Sequence, residues 1–299
     1  MAKTVVITGT STGIGYGAAK AFTAAGYRVI ATVRKTEDAE RLKRELGENL
    51  YPVLCDVTHP EQVATLPGHV KRISENGWLD SLVNNAGIEF IGPAEFQKME
   101  DIRAEFETNV LGLISVTQVL LPLLGTDAKA QGHTGRIINI SSIGGVLALP
   151  FLSSYAATKF AVEGYSHSLR RELRMFGIKV IILGPGAIHS EMWAKDRLDG
   201  NLYKGTAYET AFAKFGAMNQ TAERGAATPE SVGEFIRTIL EARRPKVRYV
   251  FTPGKLLNWT LPSILPHAWL DVLVSRMMGI KMPPKSMEPR AAVVEDFRA

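Results

Sequence analysis

The sequence contains little cysteine, and its charged residues form no dense block. Cys55 is the single cysteine among 299 residues, so no disulfide can form within the chain and a reducing, cytoplasmic location is predicted. The net charge of +5 comes from lysines and arginines spread along the whole length, without interleaved aromatic residues, which argues against a nucleic-acid partner. The six histidines are equally scattered and show no spacing typical of zinc ligands, so no metal is predicted.

Long hydrophobic runs are also missing. No uninterrupted apolar run approaches the roughly 18 residues that a membrane-spanning helix needs, and the N-terminal run TVVIT is too short for a signal peptide. Apolar residues nevertheless make up 45% of the chain, which is enough for a substantial core.

Short β-branched runs alternate with longer stretches of helical periodicity. Continuous apolar runs are typical of parallel strands buried on both faces, and their alternation with helices predicts an α/β, Rossmann-type, doubly wound fold. The predicted strands lie at 4–8, 28–33, 51–55, 79–84, 136–141, 179–183 and 246–251, and helices are predicted at 60–76, 102–124, 154–176 and 229–243. We therefore expect a seven-stranded parallel sheet flanked by helices, in one domain over 1–253 with a helical C-terminal extension at 254–299.

A glycine-rich turn, TGTSTGIG, follows the first predicted strand and opens a helix. Gly9, Gly13 and Gly15 permit a tight turn and a close approach of a pyrophosphate to backbone amides at the helix N-terminus. A strand before the turn and a helix after it are the context that a dinucleotide site requires.

The end of the second predicted strand bears on the choice of cofactor. It reads ATVRK and carries no acid to accept hydrogen bonds from the ribose of NAD. Arg34 and Lys35 would instead neutralise the phosphate of NADP, with the Ser11 hydroxyl as a further contact. The alternative is that both cations lie at the surface without a ligand. NADP(H) is the cofactor predicted.

Two tyrosines are followed by a lysine four positions later, and only their context separates them. Tyr16 and Lys20 fall in the first turns of the phosphate-binding helix and are interpreted as helix surface. Tyr155 and Lys159, in YAATK, follow a strand and a loop, with Ser154 as the expected N-cap of their helix. At this spacing they share one helix face beside the carboxyl ends of central strands, where such folds bind ligands.

Together these motifs resemble the short-chain dehydrogenase/reductase family. The matching segments run in order over 4–252: TGTSTGIG, Asp56-Val57, Asn84-Asn85-Ala86-Gly87, Asn109, Ser142, YAATK and Pro185-Gly186 with Ser190. The ATVRK stretch and the long C-terminus are most similar to the hydroxysteroid and retinol dehydrogenase branch.

The resemblance implies a catalytic set of Asn109, Ser142, Tyr155 and Lys159, with Ser141 a weaker alternative to Ser142. Tyrosine would give a proton to the developing alkoxide, its pKa lowered from near 10 by the lysine and the oxidised nicotinamide. Lys159 would also hold the hydroxyl groups of the nicotinamide ribose. Ser142 would donate a hydrogen bond to the substrate oxygen, and Asn109 would support a water that links Lys159 to solvent.

The cofactor site expected from the residues and the resemblance comprises Gly9, Ser11, Thr12, Gly13, Ile14, Gly15, Arg34, Lys35, Asp56, Val57, Asn85, Ala86, Gly87, Tyr155, Lys159, Pro185, Gly186, Ile188 and Ser190. Asp56 would meet the adenine edge. Ser190 stands where the family usually has threonine, which keeps the hydroxyl and loses the methyl. His189 is interpreted as a loop histidine, not a base.

The segment 191–228 is similar in position to the family's substrate loop, so the substrate is expected to bind beside it. Its apolar residues, either a lid or packing, are Met192, Trp193, Phe212, Phe215 and Met218. In the extension, a helix is predicted between Pro266 and Gly279. Its apolar positions are Trp269, Leu270, Leu273, Val274, Met277 and Met278. Self-packing is favoured for this face, and roofing a lipophilic pocket, subunit pairing and contact with a membrane surface are the alternatives.

The function expected from this resemblance is an NADP(H)-dependent oxidoreductase that interconverts a hydrophobic alcohol and its ketone or aldehyde, of steroid, retinoid or lipid-like character. The alternatives are a 3-oxoacyl carrier-protein reductase and a non-catalytic NADP(H)-binding sensor, the latter disfavoured by the intact catalytic set. A homodimer or homotetramer through the helices at 102–124 and 154–176 is implied. Membrane contact is compatible with the sequence but not required by it.

Overall fold

Seven parallel strands form one sheet at the centre of the molecule, with order β3-β2-β1-β4-β5-β6-β7. The computed structural model describes residues 1–130, 132–189 and 200–280. The strands are β1 Thr4–Ile7, β2 Arg28–Val33, β3 Leu50–Leu54, β4 Ser81–Asn84, β5 Arg136–Ile140, β6 Lys179–Pro185 and β7 Arg248–Phe251. The predicted doubly wound sheet is confirmed, and its strand order reverses between β1 and β4, where such folds bind ligands.

Helices cover both faces of this sheet. They are α1 Gly13–Ala24, α2 Thr36–Leu46, α3 Pro60–Val63, α4 Leu66–Ile73, α5 Met99–Phe106, α6 Leu113–Leu121, α7 Ser153–Glu172, α8 Glu209–Arg224, α9 Pro229–Glu241, α10 Leu261–Ile264 and α11 His267–Met278. The predicted helix at 60–76 is two short helices, since Pro67 lacks the amide that a continuous helix would use. The predicted Ser154 cap is also wrong, because α7 begins at Ser153 and Ser154 is buried inside its first turn.

The strands are apolar on both sides because each side carries its own core. Val5 and Ile7 of β1 pack into one cluster, which includes residues of α1 and α9. Val6, between them, packs into the opposite cluster, with residues of α4, α6 and α7. Successive side chains of a strand point to opposite faces, so a buried parallel strand has to be apolar throughout.

One helical stretch in the described part of the chain, Met99–Thr126, is long and apolar enough to span a membrane by length and composition. In its most apolar window 44% of the residues are buried, and Val116 and Leu120 lie in the core under the sheet. A core helix passes the same test, so this feature is weak evidence for a membrane span. The stretch contains two π-helical segments, Glu107–Gly112 and Pro122–Thr126, where regular α-helix was predicted.

Candidate active site

A cavity of about 590 Å³ opens at the carboxyl ends of the strands. The predicted site residues that line it are Gly9, Ser11, Thr12, Gly13, Ile14, Arg34, Asp56, Val57, Asn85, Ala86, Gly87, Ser142, Tyr155, Lys159, Pro185, Gly186 and Ile188. Gly15, Lys35 and Asn109 are absent from this lining. Ser190 lies outside the described residues.

The glycine-rich turn has the backbone that only glycine adopts easily. Gly9 and Gly13 have φ angles of +67° and +58°, in the left-handed region. Gly15 serves the packing of the turn itself, because a Cβ there would lie 2.1 Å from the Gly9 carbonyl oxygen. Gly15 is therefore a packing residue behind the cavity surface.

Thr8 and Asn85 tie this turn to the loop after β4. The Asn85 Nδ2 donates to the carbonyl oxygens of Thr8 and Gly9, both at 2.9 Å. The Thr8 Oγ1 accepts from the backbone amides of Asn85 and Ala86 at 2.9 and 3.0 Å. The two loops on either side of the switch point are thereby fixed to each other. Thr8 carried no signal in the sequence beyond its place in the motif.

Arg34, the residue after β2, and Arg41 of α2 lie near the glycine-rich turn. Both Arg34 and Lys35 are exposed, but Arg34 lines the cavity, whereas Lys35, which directly precedes α2, does not. The Arg41 Nη2 donates to the Ser11 carbonyl oxygen at 2.6 Å, a contact that the sequence did not reveal. Only one of the two predicted phosphate-binding cations therefore faces the site directly.

The turn after β3 contributes an acid and a buried thiol. The Asp56 Oδ1 accepts from the amide and the hydroxyl of Thr58 at 3.0 and 2.8 Å, which orients the carboxylate at the cavity wall. Cys55 is buried, and burial raises its pKa to about 11. The thiol is therefore neutral near neutral pH, which makes it a poor nucleophile.

Tyr155 and Lys159 reach the cavity floor from one face of α7. The Lys159 Nζ lies 5.5 Å from the centre of the Tyr155 ring and donates to the Ile140 carbonyl oxygen at 3.1 Å. Burial lowers the pKa of Lys159 to about 8, although the charges of Glu89, Glu105 and Glu163 raise it in part. These acids favour the ammonium form that a ribose contact needs.

Ser142 lies beside the phenol of Tyr155. Its Oγ accepts from the Gly144 amide at 2.9 Å, and a hydrogen bond from its hydroxyl favours the Tyr155 phenolate. Burial raises the pKa of Tyr155 by more than that hydrogen bond lowers it, and the expected lowering depends on the positive charge that an oxidised nicotinamide would add. The neighbouring Ser141 also lines the cavity, but its Oγ has no hydrogen-bond partner among the described residues, whereas the Ser142 hydroxyl bonds the Tyr155 phenol, so the geometry favours Ser142.

Asn109 lies in the π-helical segment and is buried behind the loop after β4. Its Nδ2 donates to the Ile88 carbonyl oxygen at 2.9 Å and to the Thr158 Oγ1 at 3.0 Å, and its Oδ1 accepts from the Ile88 amide at 2.8 Å. A Cβ at Gly87 would lie 3.2 Å from the Asn109 Oδ1 and 3.7 Å from the Lys159 Nζ. Asn109 therefore holds a cavity-wall loop close to Lys159.

The second tyrosine–lysine pair lies away from this cavity. The Lys20 Nζ is 3.6 Å from a Glu230 carboxylate oxygen, and both side chains are about half exposed, at 51% and 47%. Tyr16 is half-buried, because its side chain packs against the core cluster that includes residues of α1 and α9, and its hydroxyl forms a hydrogen bond with Glu45 of α2. Neither residue lines the cavity.

The substrate half of the cavity has an apolar wall built from distant parts of the chain. Phe215 and Met218 of α8 line it, while Phe212 is buried beneath them. Met192 and Trp193 lie outside the described residues. His189 is exposed and is not part of the lining, in agreement with its interpretation as a loop histidine.

The C-terminal extension completes that wall. Helix α11 has the predicted start after Pro266 and ends at Gly279, whose φ of +67° caps it. Four of its apolar residues line the cavity: Leu270, Leu273, Val274 and Met277. Met278 is buried among aromatic residues of α8, and Trp269 is 70% exposed. The face therefore roofs a pocket, where self-packing was favoured from the sequence.

Several further residues of the cavity wall were not predicted from the sequence. Leu147, Leu149 and Leu152 follow Ser142 in the loop before α7, and Glu89 follows the NNAG motif. Their only available signal was their place next to catalytic motifs. Within the described ranges no cluster of three histidine, cysteine or acidic side chains is suited to a metal.

This arrangement can move a proton and stabilise charge on an oxygen atom. A buried phenol, a hydroxyl and an ammonium meet at one point, between a dinucleotide-type loop and an apolar chamber. The phenol can give a proton, the hydroxyl can bond a developing oxyanion, and the ammonium can hold hydroxyl groups.

Comparisons with known proteins give the same assignment. The family model described as short chain dehydrogenase matches residues 3–201. An NADPH-dependent 3-dehydrocapnine reductase of Ornithobacterium rhinotracheale is 35% identical, over 89% of this chain and 94% of that protein. Retinol dehydrogenase 16 of Mus musculus is 33% identical, over 91% and 87% of the two chains.

A solved structure agrees with these relatives. The short-chain dehydrogenase of Streptomyces avermitilis shares 31% sequence identity, covers 93% of this chain and 95% of its own, and superposes with a TM-score of 0.71. On the evidence of its sheet, its cavity residues and these similarities, the chain belongs to the short-chain dehydrogenase family of oxidoreductases.

Proposed function

We propose that this chain is an NADP(H)-dependent oxidoreductase that interconverts a hydrophobic alcohol and its ketone or aldehyde. The observation that carries the proposal is that Ser142, Tyr155 and Lys159 line one cavity together with apolar side chains of the loop before α7, of α8 and of α11. Retinol dehydrogenase and 3-dehydrocapnine reductase among the relatives support an alcohol or carbonyl substrate.

The residues present fit a nicotinamide dinucleotide. The turn at Gly9 and Gly13 offers backbone amides at the N-terminus of α1, and Gly87 and Gly186 leave open surface along the cavity. When bound, the reduced cofactor supplies the hydride. Arg34 at the adenosine end supports NADP(H) over NAD(H), as does the NADPH dependence in the name of one relative.

The chain's own residues would handle the proton. Tyr155 is protonated at neutral pH because burial raises its pKa, so the phenol can donate to the substrate oxygen during reduction. Ser142 donates a hydrogen bond to the same oxygen, and Lys159 places its ammonium at the ribose. Asn109 acts by holding the loop at Ile88 against this site.

The subunit contact and the cellular location belong to the proposal as well. Leu111 and Phe160, on the outer faces of the α5–α6 stretch and of α7, are 50% and 47% exposed. Apolar residues at these positions support a homodimer or homotetramer through the predicted helices. A cytoplasmic location and the boundary at 253 remain predictions.

The test is a panel of steroids, retinoids, long-chain aldehydes and ketoacyl thioesters, assayed with NADPH. Tyr155→Phe keeps the ring and removes the proton donor, so single-turnover reduction should fall by about 10²–10⁴-fold. Tyr16→Phe is the matched control, because it deletes a hydroxyl of the second pair, and its rate should stay within a few-fold of the parent. Full activity in Tyr155→Phe would refute the assignment.

A further inference from the structure

Arg248 of β7 lies directly behind the catalytic serine. Its Nε donates to both carboxylate oxygens of Glu163 at 3.1 Å, and its Nη2 donates to the Ser142 carbonyl oxygen at 3.2 Å. Glu163 lies on α7, one turn after Lys159. The side chains of the pair are only 17% and 10% exposed. One guanidinium therefore joins β7, α7 and the serine loop.

The other contact of this guanidinium is with the C-terminal extension. The central carbon of the Arg248 guanidinium lies 4.3 Å from the centre of the Trp259 ring, a cation–π distance. Trp259 belongs to the π-helical segment Leu256–Thr260, and its neighbours Leu257 and Asn258 line the cavity. The guanidinium thus touches both the segment Leu256–Thr260, here called the roof segment, and the backbone of Ser142.

The contact between Arg248 and Ser142 requires a glycine in β6 and leaves one buried nitrogen without a hydrogen bond. A Cβ at Gly184 of β6 would lie 2.5 Å from the Arg248 Nη2 and 3.1 Å from the Ser142 carbonyl oxygen, so only glycine fits there. The Arg248 Nη1 is buried, with no hydrogen-bond partner in the described part of the chain. Buried ion pairs contribute little net stability, so the Arg248–Glu163 pair is better explained by a role in positioning the Ser142 backbone than by a contribution to stability.

We propose that Arg248 is a positioning residue through which the C-terminal roof holds Ser142 in line with Tyr155. Two hydrogen bonds fix the serine: Arg248 donates to its carbonyl oxygen, and the Gly144 amide donates to its hydroxyl oxygen at 2.9 Å. The inference rests on the proposed function, in which Ser142 bonds the substrate oxygen. Loosening the roof segment at Trp259 lowers the rate of chemistry even for substrates too small to touch the roof.

The first test compares two tryptophans of the same extension. Trp259→Ala removes the stacking contact and leaves the Arg248–Glu163 pair intact. Trp269→Ala is the control, since Trp269 is 70% exposed and does not line the cavity. With a small ketone and saturating NADPH, kcat of Trp259→Ala should fall between about twofold and thirtyfold, the usual range for coupled residues. NADPH affinity and the kcat of Trp269→Ala should not change. A loss confined to KM for bulky substrates would overturn the proposal.

A second variant tests the route through Arg248. Arg248→Lys keeps a cation beside Glu163 but loses the planar group that stacks on Trp259 and reaches Ser142. Its kcat should fall as in Trp259→Ala, and the double variant should be no slower than the worse single variant. Additive losses would show that the two residues act separately and would refute the coupling.

Hydrogen exchange gives a readout that does not need activity. The amides of Gly145 and Leu147 donate to the carbonyl oxygens of Ser142 and Ile143 at 3.1 and 2.9 Å. These amides should exchange faster in Trp259→Ala than in Trp269→Ala; equal protection would contradict the coupling. If the parent chain reduced no carbonyl in the panel, the proposed function would fail alone, and this exchange comparison would still decide the role of Arg248.

Discussion

At the scale of single residues, Lys159 carries a charge that its surroundings make sensitive to pH. Its folded pKa is lowered to about 8 by burial, while an unfolded lysine titrates near 10.4. The ammonium is therefore present below that folded pKa and is lost as pH rises through it, well before an exposed lysine would lose its charge. This loss removes the group proposed to hold the ribose.

We expect NADPH affinity to weaken by about tenfold from about pH 7 to about pH 9, since hydrogen bonds to charged groups contribute roughly 1.5–3 kcal/mol. Fluorescence titration of the Tyr155→Phe variant measures it without turnover. In the same background Lys159→Arg is the control, because a guanidinium stays charged throughout this range. An affinity of the parent that is flat across the range would contradict the prediction.

The two cations at the end of β2 are predicted to differ in function. Arg34→Ala should lower kcat/KM for NADPH by about tenfold or more and leave NADH unaffected, because a charge-assisted contact to the extra phosphate is lost. Lys35→Ala is the matched control, since Lys35 does not line the cavity. Val33→Asp should shift the preference toward NADH through repulsion of the phosphate. Equal effects of the two alanine variants would indicate that only the total charge matters.

At the scale of elements, α1 and α9 cross at two glycines. A Cβ at Gly233 would lie 2.1 Å from the Gly17 carbonyl oxygen, and one at Gly17 would lie 2.0 Å from the Pro229 carbonyl oxygen. The atoms that obstruct are backbone, so they cannot move aside as a flexible side chain would. This close approach positions α1, whose N-terminus forms part of the dinucleotide site.

Gly233→Ala should therefore destabilise the protein by about 1–3 kcal/mol or more, as overpacking does. Thermal unfolding followed by circular dichroism measures the loss. Gly164→Ala on α7 is the control, because nothing lies within 4 Å of a Cβ at that position. There the substitution should stabilise the helix by about 0.5–1 kcal/mol. A Gly233→Ala variant as stable as the parent would rule out the close crossing.

At the scale of the whole molecule, the cavity is the product of segments far apart in the chain. The glycine turn near residue 9 forms one end, and α11, near residue 274, forms part of the other. The proposed catalytic residues and the proposed substrate wall are therefore brought together only when the extension packs over α8, through Met278.

Leu270→Ala should raise KM for a bulky apolar substrate by about tenfold, because it removes apolar surface from the wall. A small ketone should be reduced with unchanged KM. Val272→Ala is the control, as Val272 lies on the same helix but is 51% exposed and outside the lining. If both variants raised KM alike, α11 would act through general stability and not through the pocket.

The sequence by itself determined the positions of the seven strands, the dinucleotide turn and the choice between the two tyrosine–lysine pairs. These features depend on local patterns: continuous apolar runs, glycines after a strand, and an i, i+4 spacing after a central strand. The two π-helical segments and the break at Pro67 were less predictable, because they shift hydrogen bonds without changing the apolar pattern.

Only the tertiary structure decided which residues face the cavity. It brought Arg34 to the site and left Lys35 outside, placed Asn109 behind the loop at Ile88, and turned the extension into a wall. It also decided that burial raises the pKa of Tyr155, since the cost of burying a phenolate depends on how many atoms surround it. Distances across the chain and the degree of burial are set by packing of segments remote in sequence, and no local pattern encodes them.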